Sequence, residues 1–397
     1  MSDSTPHQRD FFDQHTDLLA RVKEQAADRD RTGESPRELI AELKRRGFTA
    51  LRLAHEHGGQ GYSVQELIRS VITLASADSS VAHVLRSHFG FADSVLLSKT
   101  LSAKWLGHIA RGETFAPAIS EKTSPRPMDV RSALQPVDGG YRLSALKSYT
   151  TGALHADWVY VSGLDEAGVA RMATVPAERD GITMLDDFDG IGQRASSSGS
   201  VRLNDLRLGR SELEVELSYN DPPITYRSTF GQLYLLALLA GIAQAALDDA
   251  TTYVLGRARP AQHGHASIPR EDVLVQSRIG QIASLVALAR SGALEAARQM
   301  DRAHSAIRHG EAELVSLLER TAVFVASVHA AVSAVVLDAT NQVFGVGSGS
   351  AITRGQNLDR HWRNARTVSN HSPIDYKYQV VGDNLLNSVA PPQTGYF

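Results

Sequence analysis

Apolar spacing divides the chain into three textures. From residue 11 to about 111, apolar positions recur every three or four residues, as in Leu39, Ile40 and Leu43 and then Leu67, Ile68, Val71, Ile72 and Leu74. That is the period of helices with one buried face. From 114 to roughly 221 the pattern shortens to alternating runs, among them Tyr141-Arg142-Leu143, Trp158-Val159-Tyr160-Val161 and Val201-Arg202-Leu203, which predicts strands. Asp138-Gly139-Gly140 and Asp165-Glu166-Ala167-Gly168 read as turns between them. From Tyr226 onward long helical stretches return, over residues 229–255, 272 to about 304 and 311–344, and an arginine-rich segment follows. The textures predict a mainly α protein with a central β domain: an N-terminal helical domain over residues 1–112, a β domain over 113–221 and a C-terminal helical bundle over 222–397.

Two stretches add detail. His55-Glu56-His57-Gly58-Gly59-Gln60-Gly61-Tyr62 offers glycines for a tight loop, and Ser63 with Glu66 three residues on predicts a helix opening on a capping box. Arg360, Arg363 and Arg366 recur every third residue, so a helix carries them along one face, as an anion site or a solvated basic face. Pro373 turns Ser372 away from helical geometry, so the helix is expected to fade there and leave His371 exposed at the break. Residues 360–373 contain no carboxylate.

Composition removes several classes of chemistry. Lys plus Arg (41) nearly balances Asp plus Glu (44), for a formal charge of -3 over 397 residues, so no global field points to nucleic acid or an anionic membrane. With no cysteine there are no disulfides, thiolate nucleophiles, iron–sulfur clusters or cysteine-bound zinc. Residues 1–10 lack the apolar core of a signal peptide. The most apolar tract, residues 233–246, contains Gln244 and precedes Asp248 and Asp249, and is expected to be too short to span a bilayer. A cytoplasmic protein is expected.

Gly345-Val346-Gly347-Ser348-Gly349-Ser350 lacks both the Gly-x-Gly-x-x-Gly spacing and a P-loop lysine, although its amides and serines suit a phosphate as well as a plain turn. Arg257-Ala258-Arg259-Pro260 ends a helix, where arginines complement the helix dipole or meet a phosphate. His55-x-His57 and His263-x-His265 bring no third ligand, so no metal site is expected. His83 and His88 lie on one amphipathic segment; His83 reads as a core histidine. Lys147-Ser148-Tyr149-Thr150-Thr151-Gly152 combines hydroxyls and a ring suited to a flat heteroaromatic ligand, or simply forms a turn.

In their order these pieces resemble the acyl-CoA dehydrogenase fold across nearly the whole chain. Glu56-His57-Gly58-Gly59-Gln60-Gly61 looks like its early glycine loop, Ala118-Ile119-Ser120-Glu121 and Tyr149-Thr150-Thr151 like its flavin-facing segments, and Asn341-Gln342-Val343-Phe344-Gly345 like the lead into its cofactor loop. Where the dehydrogenases carry a carboxylate base, this chain has Asn370-His371-Ser372, and the other position used in that family reads Gly241-Ile242-Ala243-Gln244. The chain therefore resembles the flavin-dependent monooxygenase branch of the fold, through Gly192-Gln193-Arg194, Ser198-Gly199-Ser200 and Trp362-Arg363-Asn364-Ala365-Arg366-Thr367. It departs from that branch at Val368, often a histidine, and at Ser372, usually an acid.

The resemblance implies a two-component oxidoreductase. Reduced flavin, FADH2 or FMNH2, comes from a separate NAD(P)H:flavin reductase, O2 adds at C4a, and the peroxide passes one oxygen to a small heteroaromatic such as an indole, a thioether or an amine. No metal takes part, and a homotetramer is expected. His371 is the implied proton donor, since an imidazole gives or takes a proton near neutral pH, with His88 and Ser120 as further catalytic candidates. Tyr149 and Thr151 are placed on the isoalloxazine, and Arg257, Arg259, Gly347, Ser348 and Ser350 on the phosphate, Arg259 reaching a neighbouring subunit's cofactor. Gln342 and Phe344 leave room for an adenine, and Arg366 joins the cofactor set. The competing readings are an acyl-CoA dehydrogenase with a displaced base, such as Asp248 or Glu295, and a non-catalytic reuse of the fold.

Overall fold

The protein is represented by a computed structural model that describes residues 9–126, 129–214, 221–393 and 397. The first region folds as α1 (Thr16–Glu24), α2 (Ala26–Thr32), α3 (Arg37–Arg45), α4 (Val64–Ala77), α5 (Ser79–Val84), α6 (Arg86–Leu97) and α7 (Lys99–Ala110). Helix α4 opens on the expected capping box: the Glu66 amide donates to Ser63 Oγ at 3.1 Å and the Ser63 amide to Glu66 Oε2 at 2.9 Å. In the glycine loop before it, Gly59 is tied to its identity, because a Cβ there would stand 2.2 Å from the Leu53 carbonyl oxygen.

Eight strands follow among the described residues: β1 (Phe115–Ala118), β2 (Gln135–Val137), β3 (Gly140–Lys147), β4 (Trp158–Leu164), β5 (Ala170–Pro176), β6 (Ile182–Leu185), β7 (Ser200–Gly209) and β8 (Leu213–Glu214). They form two four-stranded sheets, ordered β1-β4-β5-β8 and β2-β3-β7-β6. Pairing is antiparallel except for β1 beside β4. Val159, Val161, Ala173 and Val175 of one sheet share a core with Leu143, Val201, Leu203 and Leu206 of the other, the alternation of a sandwich with one inner face per sheet. Both predicted turns join consecutive strands, with Gly139 at φ 81° and Gly168 at φ 76°.

Helices α8 (Ile224–Gly256), α9 (Val273–His309), α10 (Leu314–Gln342), α11 (Asp359–Ser369) and α12 (Ile374–Asn387) complete the chain. Every residue from 233 to 243 of α8 is buried, and a helix apolar on all sides must be covered on all sides. Helix α4 covers one side, while α9 and α10 cover the other. Gly241 permits the α4 approach, since a Cβ would meet Ala75 Cβ at 2.4 Å. One apolar cluster consequently runs from Phe11 to Val368 through both helical regions. The apolar tract extends beyond the length expected from sequence: α8 and residues 314–346 are each long and apolar enough to cross a bilayer. In this fold 78% and 50% of their most apolar windows lie inside the protein.

Three loops at one end of the sandwich are laced together. The Ser148 amide donates to the Ser120 carbonyl at 2.8 Å, the Thr150 amide and hydroxyl both donate to the Gly199 carbonyl, and the Gly152 amide donates to the Ser197 carbonyl at 2.9 Å. Beneath them Lys147 Nζ meets Glu121 Oε1 at 2.6 Å, with side chains 0% and 7% exposed. Gly152, at φ 87°, lies so close to Val84 that a Cβ would stand 2.4 Å from its carbonyl oxygen. The loops are thereby clamped against the α5–α6 junction.

Candidate active site

Gln193 joins the three regions of the chain. Its backbone is left-handed (φ 55°) and its side chain is fully buried. Its amide N–H donates to Asn364 Oδ1 of α11 at 2.6 Å, its Nε2 donates to Ser79 Oγ of α5 at 2.8 Å, and its Oε1 faces His83 Nδ1 at 3.0 Å. A glutamine oxygen only accepts, so His83 carries its proton on Nδ1. His83 Nε2 is then an acceptor, buried and without a hydrogen-bond partner among the described residues.

His371 follows α11 and Ser372 precedes the Pro373 cap of α12, so the break forms where the proline predicts it. Ser372 Oγ lies 3.5 Å from both Gln232 Nε2 and His371 Nδ1. Helix α8 supports this corner, and Arg86 Nη1 from α6 lies 3.8 Å from where a Cβ on Gly231 would be. His371 is half-buried rather than exposed. Burial first, and then Arg86, His83, His329 and Lys377, hold its proton affinity well below the usual imidazole range. Burial, with Arg86, pushes His83 down to about 3, and burial, with Lys377, does the same to His329. These imidazoles are neutral at pH 7, in contrast to the near-neutral titration expected of His371. Tyr160 of β4 is pushed up to about 12 by burial, so its phenol keeps its proton.

The arginine face of α11 is largely neutralised. Arg360 and His361 share Asp249 of α8, and Arg363 Nη2 meets Asp30 Oδ2 at 2.6 Å, with Nε on Asp359 at 2.7 Å. Only Arg366 has no ion pair among the described residues, and its guanidinium lies 5.7 Å from the Trp362 ring centre. The segment lacks carboxylates because α2 and α8 supply them.

The acyl-CoA dehydrogenase N-terminal domain family matches residues 5–113, and its C-terminal domain family matches 233–376. Over 392 residues the chain is 30% identical to the probable FMNH2-dependent monooxygenase SfnC of Pseudomonas putida, covering 96% of this chain and 95% of that one. The solved structure of methanesulfinate monooxygenase MsuC from Pseudomonas fluorescens matches with a TM-score of 0.88 at 29% identity, over 97% of this chain and 99% of that one. FMN-bound TdsC from Paenibacillus sp. A11-2 matches with a TM-score of 0.88 at 26% identity, over 98% and 100%. The chain belongs to the flavin-dependent monooxygenases of the acyl-CoA dehydrogenase fold.

As a monooxygenase of this fold, the protein brings some candidate residues together and separates others. Ser120, Tyr149 and Thr151 lie on the laced loops. Tyr149 is 62% exposed at φ 58°, and Thr151 Oγ1 lies 2.9 Å from Ser198 Oγ. His88 is directed elsewhere: its Nε2 bonds the Thr49 carbonyl at 2.8 Å and its ring stacks near Phe115 in the N-terminal core. His83, which the pattern assigned to the core, is buried, and its ring influences His371 electrostatically.

The phosphate candidates occupy the far end of the bundle. Arg257 Nη1 is 3.4 Å from the Val346 carbonyl, and Ser350 Oγ is 2.7 Å from Tyr253 OH. A Cβ on Gly347 would collide with the Tyr253 ring at 2.3 Å. Gln342 contacts Asp338 and Arg278, Phe344 packs on the core, and Arg259 is exposed. The side chain of Ser348 lies outside the described residues. From Gln232 to Tyr253 along α8 the separation is roughly 30 Å at 1.5 Å per residue, so one chain does not bring this group to the His371 loop. The alternative bases are also remote: Asp248 pairs with Lys23 and Glu295 with Arg298, all partly exposed.

Sequence reasoning passed over Lys377 and His329. Lys377 falls on the inward stripe of α12 with Ile374 and Val381, while Tyr376 and Tyr378 on either side are 69% and 53% exposed. A lysine at an apolar position between two tyrosines was the available signal.

Proposed function

We propose that this enzyme uses reduced FMN, delivered by a separate NAD(P)H:flavin reductase, to transfer one atom of O2 to a small organosulfur compound in the cytoplasm. The carrying observation is the group at the α11–α12 break: a neutral, sheltered imidazole, His371, facing His83 across a corner with no carboxylate among the groups that act on it most strongly. Removal of a proton α to a thioester needs a base of carboxylate type, and the alternative bases Asp248 and Glu295 sit in partly exposed ion pairs. Oxygen transfer needs a dry site and a proton at the departing oxygen.

The residues present fit a flavin. The laced loops present Ser120, Tyr149 and Thr151 on a rigid rim, and the partnerless His83 Nε2 is a buried acceptor suited to a polar ring edge. Bound reduced flavin supplies the electrons and the site of reaction with O2. Thr151 and Ser120 orient the ring, Tyr149 covers it, and the clamped loops exclude water. His371 delivers or holds the proton at its ring nitrogen, and Gln193 fixes the tautomer of His83. Arg257, Arg259, Gly347 and Ser350, far from this corner in their own chain, serve the cofactor phosphate of a neighbouring copy in a homotetramer. Gln342 is already occupied by Asp338 and Arg278, which favours FMN over a cofactor that adds an adenine. The names of SfnC and MsuC support sulfur as the atom oxidised.

With a flavin reductase, NADH and 18O2, the protein should place one labelled oxygen in the product. His371→Ala should lower the yield by about 100-fold or more while FMN affinity, read by fluorescence quenching, stays nearly constant. An unchanged yield removes His371 from the reaction.

A further inference from the structure

Two buried polar groups in this corner serve neither the fold nor the reading above. Lys377 is 2% exposed and its ammonium has no hydrogen-bond partner among the described residues; the ring centre of Phe397 lies 5.3 Å from it. His329 is 1% exposed and neither ring nitrogen has a hydrogen-bond partner among the described residues. Packing of α12 on α10 brings them together, since Tyr378 OH reaches the Ala330 carbonyl at 3.4 Å one residue beyond each. Lys377 acts on His329, and both act on His371.

Elsewhere this protein pairs the cations it buries. Arg29 lies on Asp78 at 2.9 Å, Arg52 on Asp93 at 2.8 Å and Lys147 on Glu121 at 2.6 Å, each with a side chain at most 5% exposed. An isolated ammonium in a dry interior is costly, and a methionine would fill the same space without that cost. Among the described residues this ammonium has no counter-ion, which leaves its place open to one from outside the chain.

We propose that this corner takes a substrate carrying its own negative charge, a compact alkanesulfinate, whose oxyanion rests on Lys377 and His329 with its sulfur toward His371. This deepens the monooxygenase reading and rests on it. A sulfinate suits the corner because the charged group and the oxidisable atom coincide. One oxygen of O2 forms a new S–O bond while the O–O bond breaks. The other oxygen leaves as water with two hydrogens from reduced FMN, so that sulfinate, O2 and FMNH2 become sulfonate, water and FMN. The arriving anion also opposes the cationic field around His371, raising its proton affinity at the moment a donor is needed.

The test has two arms on the full-length protein. In calorimetric titration, methanesulfonate, which has the same charge but is already oxidised, should bind the wild type. Lys377→Met should weaken it by about tenfold or more, His329→Gln should weaken it less, and Lys377→Arg should retain most of the affinity. In turnover with reductase, FMN and O2, methanesulfinate should yield methanesulfonate, with KM raised in Lys377→Met far more than kcat is lowered. Binding that ignores Lys377, or efficient oxidation of dibenzothiophene without competition from methanesulfonate, overturns the anion site and leaves the oxygenase standing. Lys377-dependent binding with no oxygenated product from any of these compounds removes the oxygenase reading and the substrate assignment with it. Should Lys377→Met fail to fold, His329→Gln and Lys377→Arg carry the same comparison.

Discussion

Helices α11 and α12 each bring cations inward, and they treat them in opposite ways. On α11, Arg360 and Arg363 end on Asp249 and Asp30, carboxylates from two other helices. On α12, Lys377 ends on none among the described residues. The first arrangement holds α2, α8 and α11 together. The second leaves a positive charge in store. A basic residue near a site therefore says little until its counter-charges are counted: Arg360 and Arg363, conspicuous in the sequence pattern, are paired, while the inconspicuous Lys377 has no counter-charge among the described residues.

The largest effect should come from breaking the paired side. The Asp30 side chain is 7% exposed and accepts from Arg363 and from Asn357 Nδ2 at 3.2 Å. Arg363→Ala strands that carboxylate, at a cost of about 3 kcal/mol, and also removes the bond to the Ile191 carbonyl beside Gln193. Denaturant unfolding should show the loss. A change under about 1 kcal/mol would mean that the α11 pairs resemble solvated surface pairs, and the contrast with α12 would collapse.

Next in size, and opposite in sign, is Lys377→Met. Burial pulls the Lys377 ammonium down to about 8 from its ordinary 10.5. The unfolded chain then holds the proton more tightly than the folded one, so the charge penalises folding fully below pH 8, and the penalty fades as pH rises toward 10.5. Without bound anion, Lys377→Met should be more stable than wild type at pH 7 by about 1 to 3 kcal/mol, and the gain should shrink by pH 10. A variant less stable than wild type at pH 7 shows that the ammonium has a partner within the chain.

The contrast also explains what was legible. Periodicity located the long helices, because burial of α8, α9 and α10 depends on local spacing, and Ser63 with Glu66 identified a cap because a capping box is contained in four residues. Pro373 likewise marked the α11–α12 break. The site was harder, since its groups meet only through tertiary packing. His83 and His88 are five residues apart on adjoining helices and indistinguishable by pattern; Gln193, from the β6–β7 connection 110 residues beyond His83, meets His83 and not His88. Arg363 looked available for a ligand because its partner Asp30 is 333 residues away. The Gly347 loop and the Tyr149 loop read as one cofactor site in sequence, yet α8 holds them apart.

The smallest effect belongs to a third kind of charge, the solvated pair. Glu295 and Arg298 meet at 2.6 Å on α9 with side chains 41% and 51% exposed. Water screens such a pair, and ordering two long side chains offsets much of the attraction. Glu295→Gln should therefore change stability by less than about 0.5 kcal/mol. It also tests the dehydrogenase alternative, since Glu295 is one of the acids that would have to act as a displaced base. Anaerobic mixing of the wild type with oxidised FMN and an acyl-CoA should leave the flavin absorbance unchanged, and Glu295→Gln should oxygenate substrate as the wild type does. Bleaching by acyl-CoA that disappears in Glu295→Gln would instead give this exposed carboxylate the role that the α11–α12 corner lacks.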